Sequence, residues 1–139
     1  MTTEGEVIGL FLTGDVPPHL SPEETMDRIH AMGGLTYLPH PLDRRRAHFS
    51  PERVVELAPR VDIIETYNSW CPAVANQAAA DLAAGLGMVT ASGSDAHAPH
   101  EMGHSWQEME PFDGPEDFLA KLARSRAVRT PASGTQRRA

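Results

Sequence analysis

Apolar positions in this chain fall into short unbroken runs separated by polar, helix-spaced segments. Residues 6–12 (EVIGLFL), 35–38 (LTYL), 62–67 (DIIETY) and 88–92 (MVTAS) each read as a strand, bounded by Gly, Pro or polar clusters. Strands that are apolar throughout, rather than alternating, predict a sheet covered by helices on its faces. Between them, Ser21-Pro22-Glu23-Glu24 begins a helix: Ser21 caps, Pro22 suits the first turn and Glu24 completes a capping box, while Gly33-Gly34 stops it. Ser50-Pro51-Glu52 repeats that start for a short helix carrying Val54, Val55 and Leu57. From about Ala73 to Leu86 the residues Ala75, Ala78, Ala79, Leu82 and Leu86 recur at helical spacing, and Gly87 ends the pattern. Asp113-Gly114-Pro115 opens a last helix with Phe118, Leu119 and Leu122 on its apolar face, and a brief strand follows near Ala127–Arg129. The stretch between 93 and 112 reads as a Gly/Ser/His-rich loop, and 131–139 as a disordered tail.

The predicted order is β-α-β-α-β-α-β-α, a parallel α/β arrangement. A complete (β/α) barrel takes roughly 250 residues, about twice what the 139 residues here offer. An open α/β sheet could be complete at this length, whereas a strand near the start with no preceding element to pair with argues for part of a larger unit over 1–130.

Composition narrows the function classes. A formal net charge of -7 gives no general grip on a nucleic-acid backbone. The single cysteine, Cys71, excludes an intrachain disulfide framework and suits a reducing cytoplasm. The apolar start is too short to span a membrane.

In parallel α/β sheets ligands collect beyond the C-terminal ends of the strands, and the chemistry-bearing residues cluster there. LTYL runs into Pro39-His40-Pro41, DIIETY carries Glu65 and leads to Asn68, and MVTAS leads into Gly93-Ser94-Asp95-Ala96-His97. Asp95 and His97 are two apart, so an extended segment points both toward one cation. Carboxylate oxygen and imidazole nitrogen suit Zn²⁺, Mn²⁺ or Fe²⁺. The plainer alternatives are a turn-capping Asp95, an incidental His97 and a rigid Pro-His-Pro turn. Glu65 and Asn68 are candidates to orient a ligand histidine or to make structural hydrogen bonds. Of the run Arg44-Arg45-Arg46, at most one guanidinium can face a site; Arg44 is the candidate for phosphate recognition. His100 and His104 extend the cluster as rim residues. No phosphate-binding glycine loop, nucleophile elbow or paired-cysteine zinc site is present.

EGEVIGLFL, PPHLSPEE, GGLTYLPHPLDR, DIIETYN and ASGSDAH occur in the order seen in PHP (polymerase and histidinol phosphatase) proteins, which the chain resembles over about residues 2–125. The resemblance implies the C-terminal portion of a distorted seven-stranded (β/α) barrel and a divalent-metal cluster that hydrolyses phosphate esters. It assigns His40, Asp95 and His97 as metal ligands, and it places Glu6 where many members carry a ligand histidine. The family's early His-x-His pair has no counterpart in these residues. An impaired phosphoesterase, missing preceding ligands, is therefore the expectation, with a small phosphorylated substrate or nucleotide as partner. The alternatives are a non-catalytic metal-binding remnant and an amidohydrolase-type hydrolase. Self-association through a truncated sheet edge at 6–12 is a further expectation.

Overall fold

The computed structural model describes residues 1–129. Its order is β1 (Ile8–Leu10), α1 (Pro22–Ala31), β2 (Leu35–Leu38), α2 (Pro51–Leu57), β3 (Ile63–Asn68), α3 (Ala73–Leu86), β4 (Val89–Gly93), β5 (Ser105–Glu108), α4 (Gly114–Leu122) and β6 (Arg126–Arg129). The expectation of a disordered tail at 131–139 lies outside the described residues.

Helix starts follow the local chemistry. Ser21 Oγ accepts the Glu24 N–H at 3.1 Å and Ser50 Oγ accepts the Arg53 N–H at 3.2 Å, each satisfying a donor that the first turn leaves open. A proline sits in the first turn of α1 and of α2, where its missing N–H costs nothing.

β1 to β4 form one sheet in that order, with β2, β3 and β4 parallel. Apolar runs without alternation are explained by cover on both faces. Leu38 and Ile64 face a cluster with Met26, Phe49, Val54, Leu57 and Ala83, from α1, α2, α3 and the loop before α2. Leu35, Ile63 and Ala91 face the opposite way, onto Leu122 and the partly buried Phe118 and Leu119 of α4. The protein is thus mixed α/β with a parallel sheet at its centre.

Three expectations change. No closed barrel is formed among the described residues: the second sheet is a separate antiparallel pair, β5 with β6. The first strand is not a buried parallel strand of seven residues. It spans Ile8–Leu10, pairs antiparallel to β2 and is half exposed. Phe11, at φ 58°, turns the chain out of the extended region, and its ring packs edge-on against Phe118 and Phe112. Finally, the stretch read as loop contains β5. Its sequence, SWQE, is too short and too polar to register as an apolar run, and its pairing with β6 is non-local.

Gly34 allows α1 to turn straight into β2. A Cβ there would stand 2.7 Å from the Leu10 carbonyl oxygen of β1 and 3.2 Å from the Ile29 carbonyl oxygen. Backbone cannot yield as a flexible side chain does, so Gly34→Ala is expected to cost about 1–3 kcal/mol of unfolding free energy in urea titration.

The loop between β2 and α2 is pinned by a buried carboxylate. Asp43 is 1% exposed; its Oδ1 accepts from Arg45 Nε at 3.0 Å and from the Arg45 backbone N–H at 3.1 Å, while its Oδ2 accepts from Arg45 Nη2 at 3.0 Å. Arg45 also donates to the Trp70 carbonyl, tying this loop to the one after β3. Burial pushes the Asp43 pKa up, but the Arg45 hydrogen bonds and charge outweigh it, assisted by the Cys71 thiol, and hold it at about 2. The folded pKa lies below the unfolded value of about 3.9, so the stabilisation is complete above that pH and lost as pH falls toward 2. Asp43→Asn is expected to be less stable than the parent at pH 7, with the gap closing between pH 4 and 2 in parallel denaturant titrations; a constant gap would contradict this account.

Candidate metal centre

β2 and β3 deliver His40 and Asn68 to the end of the sheet where β4 delivers Asp95. Glu6, Tyr37, His40, Glu65, Asn68 and Asp95 line one pocket of about 280 Å³, with Ile8, Leu10 and Pro39 as its apolar wall. Glu6 enters from the segment before β1. Its Oε2 lies 3.3 Å from His40 Nε2. The His40 side chain is 3% exposed, and its Nδ1 is buried without a hydrogen-bond partner.

Glu65 is the best-connected group in the pocket. Its Oε1 accepts from Tyr37 Oη–H at 2.7 Å. Its Oε2 accepts from the His40 backbone N–H at 2.7 Å and from Asn68 Nδ2 at 2.9 Å. Asn68 Nδ2 also reaches Asp95 Oδ2, at 3.2 Å. Burial pushes the Tyr37 pKa up, and the facing Glu65 carboxylate adds to this, so the hydroxyl stays protonated as a donor.

Asp95 has φ 51°, a left-handed conformation in which the extended-strand rule for residues two apart does not apply. Its Oδ2 pairs with Arg46 at 2.7 Å. His97 consequently does not share the pocket. Its side chain is 61% exposed, stacked edge-on near Trp70, with Nδ1 3.9 Å from Asp95 Oδ1. His97 Nδ1 lies 2.7 Å from the Asp95 carbonyl oxygen. A carbonyl only accepts, so Nδ1 carries the proton and the Nε2 lone pair of the neutral ring is left free.

The arginines divide differently from the sequence reading. Arg44 lines a separate groove with Leu42, His48 and Val74, which Arg45 also borders. Arg45 is taken by Asp43, and Arg46 is the one that reaches Asp95. Two further groups escaped sequence reasoning. Glu101 Oε2 accepts the His97 N–H at 2.6 Å and the Ala98 N–H at 3.0 Å, fixing the loop after β4; these bonds, the first above all, lower its pKa. The Pro99-His100-Glu101 start of a short 3-10 turn was the available signal. Asn76, in the first turn of α3, accepts the Asn68 N–H and donates to the Asn68 carbonyl, both at 3.0 Å, and nothing in the sequence marks it.

The donor set was tested against a divalent cation. Two ligands each about 2.1 Å from a tetrahedral ion lie roughly 3.4 Å apart, close to the 3.3 Å between Glu6 Oε2 and His40 Nε2. Asp95 borders the same pocket, whereas His97, with its free Nε2, faces outward. These residue types and this spacing fit a cation. Among the described residues, however, no three His, Cys, Asp or Glu side chains already stand grouped for ligation.

Residues 74–127 match the family model described as PHP-associated, which takes in Asp95 and His97. An uncharacterized protein of Methanocaldococcus jannaschii is 37% identical over 127 residues, 86% of this chain and 54% of that protein. A second uncharacterized protein of the same organism is 43% identical over 76 residues, 50% of this chain and 39% of that protein. The chain thus spans about half the length, or less, of these curated relatives. Among solved structures, a Bifidobacterium adolescentis protein provisionally named a metal-dependent phosphoesterase superposes with a TM-score of 0.51 at 24% identity, covering 60% of this chain and 30% of that one. PsfC from Pseudomonas syringae superposes with a TM-score of 0.60 at 19% identity, covering 85% and 49%. Both likenesses concern the fold. The likeness to the PHP-associated family rests on residues 74–127 of the 139.

Proposed function

We propose that this chain supplies part of a metal-dependent phosphoesterase centre, with Glu6, His40, Asp95 and His97 as its cation-binding residues. The observation that carries the reading is the Glu6–His40 pair, a carboxylate and an imidazole at ligand spacing on a pocket that also takes in Asp95. The solved neighbour provisionally named a metal-dependent phosphoesterase supports the same chemistry. When bound, a divalent cation in such a site acidifies a coordinated water and offsets charge on phosphoryl oxygens.

The chain's own residues do the holding. Glu6 and His40 bring one carboxylate and one imidazole from two different segments. Arg46 and Asn68 hold the Asp95 carboxylate at the pocket. With His97 turned outward, at most three of the four donors face the pocket, fewer than a multinuclear cluster takes. A remnant that binds a cation without turnover is the second reading, favoured by the outward His97. The substrate class proposed is a small phosphate monoester or diester, and the metal Mn²⁺, Zn²⁺ or Fe²⁺.

Titrating the 139-residue chain with Mn²⁺ by calorimetry is expected to show weak binding that His40→Ala or Asp95→Ala reduces by ~10-fold or more. Unchanged affinity in both variants would sink the site. Because Arg46 competes with a cation for Asp95 Oδ2, Arg46→Ala is expected to strengthen Mn²⁺ binding several-fold in the same titration.

Little hydrolysis of p-nitrophenyl phosphate is expected from this chain alone. Supplying a segment bearing His-x-His is expected to give Mn²⁺- or Zn²⁺-dependent turnover that Asp95→Ala abolishes without unfolding the protein. Metal binding with no turnover even then would favour the second reading.

A further inference from the structure

We infer that Glu65 is a positioning residue that fixes both His40 and Asp95 at the pocket, and that Gly93 is glycine to leave room for its carboxylate. The inference rests on the reading of this pocket as a cation site, and it concerns residues that would not touch the ion.

His40 has φ 30°, a conformation that a residue with a Cβ rarely adopts and that needs its surroundings to hold it. Glu65 Oε2 supplies that hold by accepting the His40 backbone N–H at 2.7 Å. The same oxygen accepts Asn68 Nδ2, which in turn reaches Asp95 Oδ2 at 3.2 Å. One buried carboxylate thus links the two candidate ligands that stand on different strands. Its other oxygen is anchored by Tyr37 Oη–H at 2.7 Å, so the carboxylate cannot swing away.

A bulge makes this possible. The register of β3 against β4 shifts between Glu65 and Tyr67, leaving Thr66 as an extra residue. Without it, residues three apart would point to opposite faces of the strand; with it, Glu65 and Asn68 meet. On the neighbouring strand, a Cβ built on Gly93 would stand 2.5 Å from Glu65 Oε1 and 3.8 Å from the Tyr37 hydroxyl. Any side chain at 93 would push the carboxylate off its three donors.

The chemistry of the three donors dictates the test. Oε2 faces two N–H groups that can only donate, whereas the Tyr37 hydroxyl can reverse and accept. Glutamine at 65 can therefore keep its carbonyl on His40 and Asn68 and turn its NH₂ to Tyr37. Alanine at 65 can do neither.

The experiment measures two quantities on the 139-residue chain: hydrogen exchange of the His40 amide by NMR, referred to the Ile64 amide of the same variant, and Mn²⁺ affinity by calorimetry. Glu65→Ala is expected to speed His40 exchange by ~10-fold or more relative to Ile64 and to weaken Mn²⁺ binding ~10–100-fold, the range typical of groups that orient metal ligands. Glu65→Gln is expected to restore most of both. Gly93→Ala, which touches no candidate ligand, is expected to reproduce the alanine effect in a milder form, and it decides the matter if Glu65→Ala does not fold. Val54→Ala, a change in the apolar cluster around α2, is expected to lower the melting temperature and move neither quantity.

Unchanged His40 exchange in both Glu65→Ala and Gly93→Ala overturns the inference. So does a loss of affinity that Val54→Ala matches at equal melting temperature. If the parent chain binds no Mn²⁺, the functional reading falls, and the positioning inference is then decided by the His40 exchange alone.

Discussion

Glu65 and Asn68 are three apart on β3, and their hydrogen bond depends on the bulge that sets Thr66 outside the regular ladder. The two halves of β3 do different jobs on either side of it. Before the bulge, Ile63 and Ile64 alternate faces and join the two apolar clusters, which secures the strand between its helices. After it, the side chains are re-aimed so that polar groups meet at the strand end. The buried polar atoms there are largely paired with one another: Glu65 takes three donors, and Asn68 spends its side chain on Glu65, Asp95 and the Trp70 N–H. A network of this kind is stable only when its members are satisfied. The Nδ1 of His40 is an unpartnered exception, as are the Oγ atoms of Ser69 and Ser92 at the neighbouring strand ends.

The rim loops hold their shape through charge as well as through the apolar packing of Leu42 and Phe49. Asp43 and Arg45 lock the loop that follows His40, and Arg45 carries that lock across to Trp70 after β3. This frees the next arginine, Arg46, to extend toward Asp95. Three consecutive arginines therefore take three separate directions: a solvent-facing groove, a buried carboxylate and the pocket. Their order follows from the turn, in which the Arg46 N–H bonds to the Asp43 carbonyl at 3.0 Å.

Much of the scaffold was legible in the sequence because its signals are local. Caps at Ser21 and Ser50, the LTYL run and the alanine-rich helix from Ala73 to Leu86 all stand where the pattern placed them. What stayed hidden depends on partners distant in the chain. The direction of β1 is set by its pairing with β2, and β5 exists through its pairing with β6. The PHP relation was readable from ordered motifs, whereas the conformation of the Asp95-Ala96-His97 segment was not. A two-residue spacing implies a shared direction only where the backbone is extended, and Asp95 at φ 51° is not. Choosing among Arg44, Arg45 and Arg46 likewise required the turn that disperses them.

The pocket's charge balance bears on why Arg46 sits where it does. Glu6, Glu65 and Asp95 bring three carboxylates to a space of about 280 Å³. Glu65 is surrounded by donors, and Glu6 has His40 beside it, but among the described residues the only guanidinium contact in this group is that of Arg46 with Asp95. Arg46 offsets one of these charges from the rim, and among the described residues no guanidinium pairs with Glu6 on the His40 side of the pocket. On the proposed reading, Glu6 and His40 would hold a divalent ion on that side, and Asp95 would turn from Arg46 to join them. On that reading the Arg46 guanidinium would be free for phosphoryl oxygens, which bidentate arginine recognition suits. A single side chain would thus hold the carboxylate in place in the absence of the ion and face the substrate in its presence.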